Sequence, residues 1–199
     1  MAKRIKIIDR GWGRIQLALR RLDGYNATIG LHQPEDGRPG EGDIGNVGLG
    51  VVHEFGVTIN HPGGTPYMVS WSTAGRSGGM VGGNVTFLRK GDPRAIGVTQ
   101  PHKITIPERS FIRSSWDAKV RTYDRLMAKQ AGRVIDGTAS PGQAVGLVGE
   151  KVKSDVIKRI NRGIPPPLRA STIRRKRSSK PLIDTGQLKQ AIKVEVRRR

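Results

Sequence analysis

The chain has 199 residues, with 36 lysine and arginine against 16 aspartate and glutamate, and therefore a formal charge of +20. The absence of cysteine excludes a disulfide framework, thiolate catalysis and cysteine-ligated zinc, and no apolar run approaches the ~18 residues of a membrane-spanning helix. A hydrophobic content of 35%, with aromatic residues only 5% of the chain, is lean for a self-sufficient monomer and ordinary for a subunit that buries surface against its own copies.

The N-terminal "MAKRIKIIDRGWGR" has neither the apolar run nor the small-residue cleavage site of a secretory signal. The expectation is a soluble, basic protein of a reducing compartment. The charge is unevenly placed: residues 24–88 carry a net −3 and residues 137–199 a net +12. Such asymmetry points to a polyanionic or acidic partner.

In chain order, Ile5 and Ile7 suggest a short strand. Trp12, Ile15, Leu19 and Leu22 are spaced by three and four, which predicts an amphipathic helix ended by Gly24. "YNATIGLH" (25–32) reads as a strand. Residues 33–50, rich in glycine and acids, read as a flexible loop, and "LGVVHEFG" (49–56) as a brief helix capped by Gly56. Residues 60–103 read as an inserted β-region, with "PYMVSW" and "NVTFLRK" as the arms of a hairpin.

The next segment is the most regular. Ile112, Trp116, Val120, Tyr123, Met127, Ala131 and Val134 form one helical stripe, predicting a continuous helix from Ser110 to a stop at Gly137. Ser140-Pro141-Gly142-Gln143 has the pattern of a capping box with proline at the first helical position. Val145, Val148, Val152, Val156 and Ile160 continue that second helix to Gly163. The two make a helical hairpin over 110–162.

Residues 163–199 form a proline-linked basic segment. Pro165–Pro167 are extended, Ser171 caps a short helix, 174–180 are a basic loop, Thr185 caps another helix through Ala191, and Ile192, Val194 and Val196 alternate as a strand. The fold expected is α+β: one domain over 1–199, with a small mixed or antiparallel sheet packed against the long helical hairpin and an inserted β-hairpin region.

No catalytic constellation emerges. His53-Glu54 begins like a zinc-protease helix, but Val57 stands where the second histidine belongs. His32, His53, His61 and His102 lie in no motif and read as structural. "GNVGLG" lacks the strand and long helix of a nucleotide loop, and the acids Glu35, Asp36, Glu41 and Asp43 lack EF-hand spacing. The expectation is therefore no enzyme, no cofactor and no metal. Phosphate or interface contacts are expected from Arg174, Arg175, Lys176, Arg177, Lys180, Arg197, Arg198 and Arg199. With no aromatic residue in the C-terminal third, such contact would read backbone charge and not sequence.

Three segments, in order, resemble the tailed-bacteriophage neck family of head-to-tail joining, or tail-completion, proteins. "VVHEFGVTI" (51–59) is similar to that family's short helix and "HEFG" turn. "IPERSFIRSSWD" (106–117) is similar to its entry into a long helix, with Ser110 where proline is usual. "GIPPPLRASTIRRKRSSKPLIDTGQLKQAI" (163–192) carries the proline run and the "LIDTGQL" turn. The resemblance implies a virion structural protein, assembled in the host cytoplasm, with no membrane partner. It implies a ring of copies, commonly sixfold, between a head connector or head-closure protein and a tail terminator or tail tube, with genomic DNA passing through the lumen. A tail terminator or a head-closure protein is the alternative within the virion, and a free non-specific nucleic-acid-binding protein the alternative outside it.

Overall fold

The computed structural model describes residues 11–32, 45–73, 80–176 and 178–199. The strand read at Ile5–Ile7, the segment 33–44 and Arg177 lie outside them. Where the sequence reads one domain with an insert, the chain divides into two compact units. The first takes the chain up to Gly56 and from Pro107 onward, and the second is Val57–Ile106.

In chain order the elements are α1 (Trp12–Asp23), β1 (Tyr25–Leu31), α2 (Gly45–Phe55), β2 (Val57–His61), β3 (Pro66–Thr73), β4 (Met80–Phe87), β5 (Gly97–Val98) and β6 (His102–Ile106). Then follow α3 (Arg113–Asp117), α4 (Val120–Ile135), α5 (Pro141–Arg162), α6 (Ala170–Lys176), α7 (Gln187–Gln190) and β7 (Ile192–Arg198). The class is α+β, with small antiparallel sheets and a long helical segment.

The first unit is organised around α5. Its start is the capping box read from sequence: the Gln143 amide donates to Ser140 Oγ at 3.3 Å, and the Ser140 amide donates to Gln143 Oε1 at 3.0 Å. Val145, Val148, Val152, Val156 and Ile160 are all buried, as their spacing predicts. Each such side chain taken from water contributes roughly 1.5–3 kcal/mol before entropy is counted. One side of α5 packs on the two-stranded sheet β1–β7, whose antiparallel register pairs Ala27 with Val196 and Ile29 with Val194. Strands more than 160 positions apart thus close the unit. At Gly149 the approach is so close that a Cβ would stand 2.6 Å from Val194 Cγ1.

The continuous helix expected from Ser110 is broken. Helix α3 ends at Asp117, and at Lys119 the backbone leaves helical geometry (φ −135°, ψ 6°) before α4 begins. The interruption aims Lys119 Nζ at Asp155 Oδ1 of α5, 2.8 Å away. The same carboxylate takes Lys151 Nζ and the Tyr123 hydroxyl, the latter at 3.2 Å. An unbroken helix would satisfy the apolar stripe and leave this buried carboxylate short of one cation, which is costly. Of the stripe residues on either side of the break, Trp116 is exposed and Tyr123 is buried. In α1 likewise Ala18 is the buried residue, and Trp12 and Leu19 are exposed.

Three further expectations are corrected. Residues 45–50 belong to α2 and not to a loop. Helix α6 starts at Ala170, so Ser171 lies inside it and not at its cap, and Arg174, Arg175 and Lys176 form its end instead of opening a loop. Gly186 (φ 85°), not Thr185, precedes α7, because the turn needs a left-handed backbone that glycine adopts without strain. Leu182 and Leu188 are buried, and the partly buried Ile183 packs against the same core.

The described regular elements of the second unit are all β-strands. β2 pairs with β6, β3 with β4 as a hairpin, and β3 with β5. The tip residues 74–79 lie outside the described residues.

Candidate interaction surfaces

The three resembling segments meet at one carboxylate and one guanidinium. Glu54, in the last turn of α2, is buried (7% exposed). Its Oε2 accepts the amides of Phe111 at 2.8 Å and Ile112 at 3.0 Å. Its Oε1 accepts the Arg113 amide at 2.9 Å and the Ser110 hydroxyl at 2.7 Å. These amides begin α3 and have no partner within it, so a carboxylate there meets both unpaired donors and the positive end of the helix. Arg109, also buried, donates its amide to His53 O at 2.7 Å and its Nε to Pro166 O at 3.0 Å. Arg159 Nε of α5 donates to Ser114 Oγ at 2.7 Å. The first segment is thereby tied to the second by Glu54, and the second to the third by Arg109.

His53 lies within this frame. Burial, then the neighbouring charges of Arg109 and Lys176, lowers its pKa to about 4, so it is neutral at pH 7.

Beside the frame is an open apolar cavity of about 430 Å³ between β1, α2 and α3. Ile29, Leu31, Val47, Val51, Ile112 and Val152 line it, and Phe55 (60% exposed) and Trp116 stand at its mouth. The Arg113 guanidinium lies 5.5 Å from the centre of the Phe55 ring, a cation–π arrangement. Periodicity places Trp116 on the helical stripe, as a residue of the core or of a subunit interface, and the structure leaves it exposed. Phe55 was missed, since a lone aromatic before a glycine carries no pattern.

The basic residues named from sequence fall in two places. Arg174 and Arg175 belong to α6, Lys176 is half-buried at its end, and Lys180 Nζ donates to Asn161 O of α5 at 2.8 Å. Arg197, Arg198 and Arg199 are exposed at the end of β7, where Arg197 pairs with Glu195 at 2.5 Å. The β1–β7 register sets Arg198 opposite Tyr25, and the Arg199 amide donates to Gly24 O at 2.8 Å. Gly24 in turn donates its amide to Arg20 O, so the last arginines lie one step from the last turn of α1, which carries Arg20 and Arg21. Arg20, Arg21, Arg198 and Arg199 are therefore brought to one corner, a juxtaposition that requires the non-local strand pair.

Among the described residues no group of three or more metal-ligating side chains converges, and no helix is long and apolar enough to cross a membrane. No family model, no curated protein and no solved structure matches this chain.

Proposed function

We propose that this chain is a structural subunit of a tailed-phage neck. It forms a ring of copies, sixfold by resemblance, that joins the DNA-filled head to the tail and completes the tail. The ring contacts a head connector or head-closure protein on one side, and a tail terminator or tail tube on the other. It works in the virion after assembly in the host cytoplasm, and genomic DNA crosses its lumen. The observation that carries the reading is the joining of the three resembling segments through Glu54 and Arg109. Their polar groups are spent on backbone amides and carbonyls, which is how a frame is held and not how a substrate is turned over. A cyclic ring needs two different faces per subunit, and the apolar cavity with Phe55 and Trp116 at its mouth offers one of them.

The test is complementation. Particles made without the chain should accumulate as filled heads and finished tails, and the purified chain should restore their joining. Scattering should give a defined ring mass without DNA. Heads and tails that join equally well without the chain would end the reading.

A second reading, a non-specific nucleic-acid-binding protein, is favoured by the corner of Arg20, Arg21, Arg198 and Arg199. A monomer that binds duplex DNA with steep salt dependence would support it.

A further inference from the structure

Among its described residues the second unit shows no core of its own. Of the residues in Val57–Ile106 whose side chains are described, none is buried. Yet its strands are patterned as if one face were covered. In the β2–β6 ribbon, Val57 opposes Ile106, Ile59 opposes Ile104, and His61 opposes His102. Directly opposed residues share a face, so this is an apolar row ended by two histidine rings stacked 4.9 Å apart. The other face holds Thr58, Thr105, Asn60 and Lys103. In the β3–β4 hairpin, Tyr67 opposes Phe87 and Val69 opposes Val85, which gives a second apolar patch. Val85 and Phe87 are each 56% exposed. A two-stranded ribbon with an open apolar face is marginal in water, so such patterning calls for a surface that covers it.

Charge selects the occupant. The only described acid of this unit, Asp92, is already held by Arg94 at 2.7 Å. Arg89, Lys90 and Lys103 have no carboxylate within ion-pair distance among the described residues. Another copy of a +20 chain is basic on balance, the net −3 of residues 24–88 apart, and like charges brought together at an interface are unfavourable.

We propose that this β-unit is a docking arm, and that it seats its Ile59–Ile104 and Val85–Phe87 faces on a different protein, one with an acidic rim around an apolar strip. This rests on the neck reading, in which such a protein is the neighbour above or below the ring. The arm is then the axial contact, and the copies meet through the first unit.

The experiment is photocrosslinking in the assembled particle, with Phe87→p-benzoylphenylalanine, alongside joining assays of an Ile59→Thr, Ile104→Thr variant. The expected result is a crosslink to a distinct acidic chain, and about a tenfold loss of head–tail joining in the double variant at unchanged ring mass. A crosslink to another copy of this chain, joining at the wild-type level in the double variant, or Ile59-dependent sedimentation with vesicles of anionic phospholipid would each overturn the arm proposal and leave the ring reading standing. Failure of the wild-type chain itself to restore joining would overturn both.

Discussion

Glu54 accepts the Phe111 amide at 2.8 Å across 57 positions of sequence, and that bond fixes where the chain resumes after the inserted unit. Phe111 is fully buried, so the amide has no water to turn to. Glu54→Ala would strip three amides and a hydroxyl of their acceptor. Leaving a buried donor unpaired costs about 1–3 kcal/mol, and charged acceptors form the stronger bonds. A net loss of about 3 kcal/mol is expected, lowering the melting temperature by roughly 6–12 °C for a chain of this size. Glu54→Gln keeps one carbonyl oxygen and should lose less. Thermal unfolding checks the order wild type, Gln, Ala; an Ala variant melting with wild type would refute the role.

His53 makes stability depend on pH. Its folded pKa of about 4 lies below the ordinary 6.5, so between those values the unfolded chain binds the proton and the folded chain does not. Stability from this residue is complete above pH ~6.5 and is lost as pH falls toward 4. Asp155 acts in a lower range. Burial raises its pKa, but the hydrogen bonds and charges of Lys119 and Lys151 outweigh that and hold it below 3.8. Its contribution is present above 3.8 and fades as the carboxyl protonates in strong acid. In urea melts from pH 7 to 4.5, His53→Gln should flatten the fall in midpoint, while Asp155→Asn should leave that slope unchanged and lower the whole curve. Parallel slopes for wild type and His53→Gln would contradict the assignment.

How much of this was legible depended on how local the cause was. The α5 cap and its five buried apolar positions come from one helix's own periodicity, so spacing sufficed. The break before α4 answers to Asp155, 36 positions after Lys119, and no local pattern announces it. Ser171 and Thr185 failed as caps because capping residues are common in turns of any kind; α6 already begins at Ala170, and Gly186 stands before α7. The segments carrying Glu54 and Arg109 were noticed by resemblance. Their joining through buried hydrogen bonds required the folded chain, and so did the arginine corner, which depends on β1 pairing with β7.

Two helical glycines should respond with opposite sign to the same substitution. Glycine inside a helix costs about 0.5–1 kcal/mol relative to alanine. Gly132 in α4 has nothing within 4 Å of a built Cβ, so Gly132→Ala should stabilise by about that amount. Gly149 in α5 would place its Cβ 2.6 Å from Val194 Cγ1 and 3.4 Å from Ala27 Cβ. Relief requires α5 and the β1–β7 sheet to part, and overpacking of this kind costs about 1–3 kcal/mol. Gly149→Ala should therefore destabilise, and adding Val194→Ala should recover part of the loss by removing the opposing methyl. Chemical denaturation of Gly132→Ala, Gly149→Ala, Val194→Ala and the double variant checks this; an additive double variant would mean that the close approach is not what makes Gly149 necessary.

The arginine corner separates the two functional readings by salt dependence. Arg198 and Arg199 are exposed and have no ion pair among the described residues, and Gly24 links their strand end to the last turn of α1, which carries Arg20 and Arg21. Arg197 is partly neutralised by Glu195, and Lys180 is engaged with the Asn161 carbonyl. If duplex DNA binds at this corner, each lost phosphate contact reduces the slope of log affinity against log salt by about 0.9. Arg198→Gln with Arg199→Gln should then reduce it by roughly 1.8, whereas Lys180→Gln should leave it almost unchanged. Fluorescence anisotropy on an arbitrary 20-base-pair duplex between 50 and 200 mM salt, roughly the range over which such binding collapses, makes the measurement. A slope that falls as expected, in a chain that also forms a ring, places DNA along this corner of each subunit. A slope indifferent to both arginines leaves the corner to a protein neighbour, where its charge sets encounter rate and register more than affinity.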